Sequence, residues 1–150
     1  MGMRAVVQRC TSAKVETGGK CVGTVGQGLC VLLGIDVFDT EADADYICDK
    51  LTGLRIFDDE NQVPNRSVLD IQGKILLISQ FTLLGDARKG RRPSYIAAAR
   101  PETAVPLYER CIERLRQTVP VETGIFGADM QVTLTNDGPF TILLDSRRTF

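Results

Sequence analysis

Histidine and tryptophan are absent from these 150 residues. The first absence excludes most. No imidazole can act as general base, activate a serine or cysteine, or ligate a metal. Cysteine occurs five times, at Cys10, Cys21, Cys30, Cys48 and Cys111, with no CxxC pair, so no transition-metal site is expected. The odd count and the apolar neighbours of most of these thiols read as small buried hydrophobes in a reducing compartment. No apolar run approaches the ~20 residues of a membrane helix. The segment Met1–Val6 lacks a signal-peptide core, and Val6 stands where myristoylation at Gly2 would want Ser or Thr. These absences predict a cytoplasmic protein with no membrane partner. A net charge of −1 argues against a chain that simply coats nucleic acid.

What is present is ordinary in amount and uneven in placement. The apolar fraction is 43% and the charged fraction 25%, as in a soluble globule. The length predicts one domain over 1–150, in which folding buries roughly 68–70% of the unfolded surface. Acids crowd the stretch from Asp36 to Glu60, and bases crowd Arg88-Lys89-Gly90-Arg91-Arg92. The acidic stretch lacks the glycine and closing glutamate of a calcium loop.

The pattern along the chain predicts α+β, with β-barrel-like mixed sheets and two or three helices. Met3–Cys10 and Ala13–Glu16 read as strands, the second forming a hairpin with Lys20–Val25 across Thr17-Gly18-Gly19. Gly28–Ile35 and Lys74–Ser79 are apolar runs suited to burial on both faces. Thr40 reads as an N-cap with Asp43 in capping-box position, opening a helix to about Leu51 with Gly53 as its stop. Ala44, Ile47, Cys48 and Leu51 form its apolar stripe. Ile56–Asn65 reads as a polar loop or strand edge, and Ser94–Arg100 as a short helix. Glu102–Thr118 is the clearest helix, with Ala104, Leu107, Tyr108, Cys111 and Leu115 inward and a polar face expected to be simply solvated. Met130–Thr135 and Phe140–Leu144 read as two strands.

Three segments stand out. Asn136-Asp137-Gly138-Pro139 reads from composition as the hairpin turn between the last two strands. Proline removes a ladder donor there. A cis bond before it would let the Gly138 and Pro139 carbonyls point to one side. Ser79-Gln80-Phe81-Thr82 is either a frayed strand end or a pocket wall, since three hydrogen-bonding side chains and an aromatic follow a buried run. Thr82 is a poor nucleophile, being internal and without a base. The basic loop is either solvated or a phosphate contact.

Read together, Met3-Arg4-Ala5-Val6-Val7-Gln8-Arg9, Ser79-Gln80-Phe81-Thr82-Leu83, Gly124-Ile125-Phe126-Gly127-Ala128-Asp129-Met130 and Asn136-Asp137-Gly138-Pro139-Phe140-Thr141 resemble the D-aminoacyl-tRNA deacylases, in order and spacing over nearly the whole chain. The resemblance implies a cytoplasmic homodimer that uses no cofactor or metal and hydrolyses the ester of D-aminoacyl-tRNA and of mischarged glycyl-tRNA. It implies a Gly138-Pro139 cis pair inserted from one subunit into the pocket of the other, so that active sites lie at the subunit interface. Arg9 would brace that pair. Ser79, Phe126 and Met130 would sit at the substrate, and Gln80, Phe81 and Thr82 at the reacting ester. Phe140 departs from the family, where valine is common.

The physical account built on that resemblance uses two fixed carbonyls. They accept from the substrate's α-amino group and fill the space of an L side chain, which leaves glycine unexcluded. Backbone N–H groups near Phe81 and Thr82 would form an oxyanion hole. The ribose 2′-OH would assist the attacking water, with Thr82 positional. Arg88, Lys89, Arg91 and Arg92 would bind tRNA phosphates. Two alternatives are a non-catalytic RNA-binding module, disfavoured by only nine aromatics, and a hydrolase of small D-amino-acid esters.

Overall fold

The computed structural model describes residues 1–150. In chain order the elements are β1 Arg4–Thr17, β2 Lys20–Val25, β3 Gly28–Gly34, α1 Glu41–Gly53, β4 Phe57–Asp58, β5 Pro64–Arg66, β6 Lys74–Ser79, a 3-10 turn Phe81–Leu84, α2 Pro101–Arg116, β7 Val121–Thr123 and β8 Gln131–Asp145. This is the α+β arrangement that the pattern predicts. No helix is long and apolar enough to cross a membrane.

β1 unites the two strands expected at Met3–Cys10 and Ala13–Glu16. Its register against β8 shifts between Gln8 and Ser12, and the shift changes which face each side chain takes. Ala5 and Val7 enter a large core beneath the helices, whereas Cys10, Ala13 and Val15 enter a smaller second core. Cys10 reaches the second core by ordinary alternation, and one extra residue, Thr11, between the Cys10–Asn136 and Ser12–Thr135 pairs then turns Ala13 and Val15 to that same face. β1 pairs with β3 along its first half, with β2 along its second, and with β8 along its other edge.

β3 and β6 run parallel at the centre. As their continuous apolar runs imply, both are buried on two faces. Leu29, Val31, Leu33, Ile75 and Leu77 enter the large core, and Cys30, Leu76 and Ile78 the small one. The sheet runs β2-β1-β3-β6-β7, and its ends nearly meet. A Cβ on Gly23 of β2 would lie 2.6 Å from the Thr123 carbonyl of β7, an approach that only glycine permits. The mixed sheet is thereby nearly closed into a barrel.

α1 starts where the sequence indicates: the Asp43 carboxylate accepts the Thr40 N–H at 2.8 Å. Its stripe of Ala44, Ile47, Cys48 and Leu51 is buried against Ala104, Leu107, Tyr108, Cys111 and Leu115 of α2 within one core. The polar face of α2 is not simply solvated. Arg110 makes two bonds to Asp45 at 2.9 and 3.0 Å, and Arg114 one to Asp49 at 3.0 Å. The Arg110 guanidinium holds the Asp45 carboxyl below the usual carboxylate range. Part of the acidic stretch, Glu41, Asp45 and Asp49, is therefore the counter-charge of α2.

Two further expectations are corrected. Ser94–Arg100 is not helical. Ser94 and Ala98 form single bridges to Asp86 and Asp36, and Ala99 N–H donates to Ile35 at 2.9 Å. Pro101 also keeps Arg100 extended, at φ −73 and ψ 160. The segment expected as two strands around a hairpin turn is one strand, β8, which runs antiparallel to β1 on both sides of residues 137–140. Gln8 pairs with Thr141 and Cys10 with Asn136, so residues 137–140 loop out opposite Arg9 alone. Ile56–Asn65 falls largely within the small β4–β5 hairpin.

Candidate active site

β6 delivers the first wall of the site. After Ser79, the Gln80 N–H donates to the Leu33 carbonyl at 2.7 Å, and the chain then tightens into the 3-10 turn. Across from it lies the loop that follows β7. Ile78–Thr82, Phe126–Met130 and Val132 together line an open cavity of about 430 Å³. The structure thus gathers Ser79, Gln80, Phe81, Thr82, Phe126 and Met130 from two segments far apart in sequence.

The aromatic walls are propped from behind. Phe126 lies 5.9 Å from the Tyr108 ring, and the Tyr108 hydroxyl donates to the Leu77 carbonyl at 2.7 Å. Burial pushes that hydroxyl's pKa up, and with its hydrogen committed to Leu77, Tyr108 serves as a strut behind the cavity wall. Phe81 is exposed and meets Tyr95 edge-on at 5.2 Å. The Gln80 side-chain amide donates to the Thr82 hydroxyl at 3.0 Å. No base contacts Thr82, so it is not set up as a nucleophile. Asp129 is the one ionisable side chain lining the cavity. Sequence reasoning passed over it, because within Gly127-Ala128-Asp129-Met130 it reads as an exposed loop acid.

The second candidate region is the loop in β8. Arg9 is only 8% exposed, and its bonds run both ways from β1. Nε donates to the Asp137 carbonyl at 2.9 Å and Nη1 to the Ile56 carbonyl at 2.8 Å. Its guanidinium carbon sits 4.6 Å from the Phe140 ring centroid, a cation–π contact that valine would not give. Asp58 and Asp137 balance its charge at 3.6 and 3.7 Å. Gly138 and Pro139 are exposed, and the bond between them is cis. Asn136 and Gln8 bond to each other beside this loop. Both stand in the family motifs, but the bond between them shows only once the β1–β8 register is known. Arg9, Gly138 and Pro139 do not line the cavity of their own chain.

The basic loop is less uniform than its sequence. The Arg88 guanidinium bonds Asp86 at 2.9 and 2.8 Å and draws that carboxyl far below its usual range. Lys89, Arg91 and Arg92 are exposed. No three His, Cys, Asp or Glu side chains gather as a metal site, and all five cysteines are free thiols, four of them buried.

Comparison with known proteins gives a consistent family. The family described as D-Tyr-tRNA(Tyr) deacylase matches residues 6–145. A D-aminoacyl-tRNA deacylase of Clostridium botulinum (strain 657 / Type Ba4) is 58% identical over 149 residues, which cover 99% of this chain and 100% of that protein. One from Thermosipho melanesiensis is 55% identical over 150 residues, with 99% and 100% covered. Among solved structures, a c-Myc DNA Unwinding Element Binding Protein superposes with a TM-score of 0.90 at 42% identity, over 95% of this chain and 97% of that one. A probable eukaryotic D-amino acid tRNA deacylase, at 19% identity, shares the fold with a TM-score of 0.84 over 97% and 100%. By family match and by identity over nearly its full length, the chain belongs to the D-Tyr-tRNA(Tyr) deacylase family.

Proposed function

We propose that this protein hydrolyses the ester joining a D-amino acid to the 3′ end of tRNA, releasing both, and that it also clears glycine mischarged onto tRNA. Family membership supports the reaction class. The observation that carries the stereochemical reading is the loop at 137–140, where a strand opens to expose the Gly138-Pro139 backbone above a buried arginine. Held carbonyls accept from the substrate's α-amino group and occupy the space of an L side chain. Glycine has no side chain to reject.

The loop stands outside its own chain's cavity. In this reading it enters the cavity of a second copy, so a homodimer carries two shared sites at its interface. The ester is already activated, so a placed water and a stabilised oxyanion suffice. Phe81 and Thr82 open the 3-10 turn, where no earlier turn accepts their N–H groups. They are the oxyanion donors. Gln80 and Thr82 orient the water, and the terminal ribose 2′-OH assists it. Arg88, Lys89, Arg91 and Arg92 meet tRNA phosphates. The scheme assigns no step to a metal or cofactor and sets the reaction in the cytoplasm.

Nucleic-acid binding without catalysis is the second reading. It is favoured by the basic loop and by the likeness to a DNA unwinding element binding protein. Purified protein given matched D- and L-tyrosyl-tRNA and free D-tyrosine ethyl ester decides between them. Hydrolysis of the D-charged tRNA alone is expected. Binding without turnover, or equal rates on both charged forms, would overturn the proposal.

A further inference from the structure

The neck of the projecting loop is held from two sides, and the two holds differ. Arg9 grips the entering side through the Asp137 carbonyl at 2.9 Å. On the leaving side the Asn136 amide closes a ring. Its Oδ1 accepts the Phe140 N–H at 2.6 Å. Its Nδ2 lies within donating distance of the Phe140 carbonyl at 3.3 Å, Thr141 Oγ1 at 3.1 Å and Gln8 Oε1 at 3.3 Å. A carboxamide offers one acceptor oxygen and two N–H donors, and here both ends are engaged around one residue, Phe140. Asn136 and Thr141 are the last ladder partners before and after the opening.

Strand pairing alone does not call for this side chain. Asn136 meets Cys10 in the ladder whatever its side chain, and the residue is only half-buried. Asparagine is also a weak strand former. What its amide does is hold the residue that follows proline, which Arg9 reaches only through its ring. Gln8, next to Arg9 on β1, fixes the amide in turn.

We propose that Asn136 is a positioning residue: by clamping both backbone groups of Phe140 it sets the direction in which the Gly138 and Pro139 carbonyls project. It touches no substrate. With Arg9 alone the leaving side would be held only from Thr141 onward, by its pairing with Gln8, and the Phe140 backbone would be free to turn. The carbonyls would then meet the α-amino group less often and would no longer fill the space of an L side chain. This inference rests on the reading of the loop as the chiral filter.

The test compares wild type with Asn136→Ala and Asn136→Asp. The second variant keeps the acceptor for Phe140 and loses the donors. Three quantities are read: hydrogen exchange at the Phe140 amide, the ratio of rates on matched D- and L-tyrosyl-tRNA, and Tm. Loss of one hydrogen bond predicts exchange about ten-fold faster in Asn136→Ala and near wild type in Asn136→Asp. The D-to-L ratio is expected to fall about ten-fold in Asn136→Ala, with Asn136→Asp between, while Tm moves by only a few degrees. Unchanged exchange at Phe140 would remove the clamp. Parallel loss of both rates with an unchanged ratio would make Asn136 merely structural. A wild type with no D preference would instead sink the reading of the loop, and Phe140 exchange would still judge the clamp.

Discussion

Asp129 and Thr82 face the same cavity and separate two chemistries. A general base supplied by the protein contributes about 10²–10⁴ in rate, so its removal would be plain. Substrate-assisted attack asks less of either side chain. Asp129→Asn and Thr82→Ala are each expected to keep single-turnover rates within about ten-fold of wild type, whereas D-tyrosyl-tRNA ending in 2′-deoxyadenosine should react far more slowly. A hundred-fold loss in Asp129→Asn, or a trapped acyl-Thr82, would move the base or the nucleophile onto the protein. A different residue adds its own pH dependence to stability. Asp39, just before α1, accepts the Asp36 N–H at 2.7 Å through Oδ2, and its Oδ1 is buried without a partner. Burial, reinforced by Asp43 and Asp36, pushes its pKa up to about 7. The folded chain thus keeps a proton that the unfolded chain releases near pH ~4. This residue's contribution to stability therefore falls as pH rises from about 4 to about 7, and stays low above. Asp39→Asn should raise Tm at pH ~8 and leave it nearly unchanged at pH ~4, as thermal unfolding at the two values would show.

Among the elements, the basic loop and β8 are where the proposed recognition of substrate can be tested. Arg88 already serves Asp86, so the clean charge reversal is Lys89, Arg91 and Arg92 to Glu. The triple variant should raise KM for charged tRNA and flatten its salt dependence, by up to about 0.9 in log–log slope for each duplex phosphate no longer neutralised. Its Tm should hardly move, because the loop is exposed. An unchanged slope would return the loop to a solvated surface. The sequence made some elements plain and hid others, for physical reasons. β3 and β6 were legible because burial on two faces leaves an unbroken apolar run. α1 was legible because its cap and stripe are local. The continuity of β8 was not, since a Gly-Pro pair inside a ladder looks the same in sequence as one that reverses the chain. Only the shared partner β1 distinguishes them. The α1–α2 ion pairs were hidden likewise, because spacing along α2 reveals neighbours on α2 alone. Of the site, the two cavity segments were legible as motifs. The bond between Asn136 and Gln8 was not, because it depends on register.

At the scale of the whole molecule, one chain holds a cavity and a projecting loop that do not meet. If two copies complete each other, damage to the two features should complement across chains. Gly138→Ala damages the loop alone. Gly138 has a φ of +142, and an added Cβ would lie 3.0 Å from the Phe140 nitrogen and 3.3 Å from Arg9 Nη2. Strain of this kind costs on the order of 1–3 kcal/mol and falls on an exposed loop, so the fold should survive. Ala128→Trp damages the cavity alone, by filling space that Ala128 lines. Each variant by itself should deacylate D-tyrosyl-tRNA poorly. When the two are unfolded together and refolded as an equal mixture, half of the dimers are mixed. In each mixed dimer the Gly138→Ala cavity receives an unaltered loop, while the other site is damaged twice. About a quarter of all sites are then intact, and activity should recover to about that fraction of wild type. Mass measurement establishes that mixed dimers have formed. With them present, recovery requires the loop to work in trans. Its absence would mean that each site is built within one chain, and that the loop must close over its own cavity by a movement of β8.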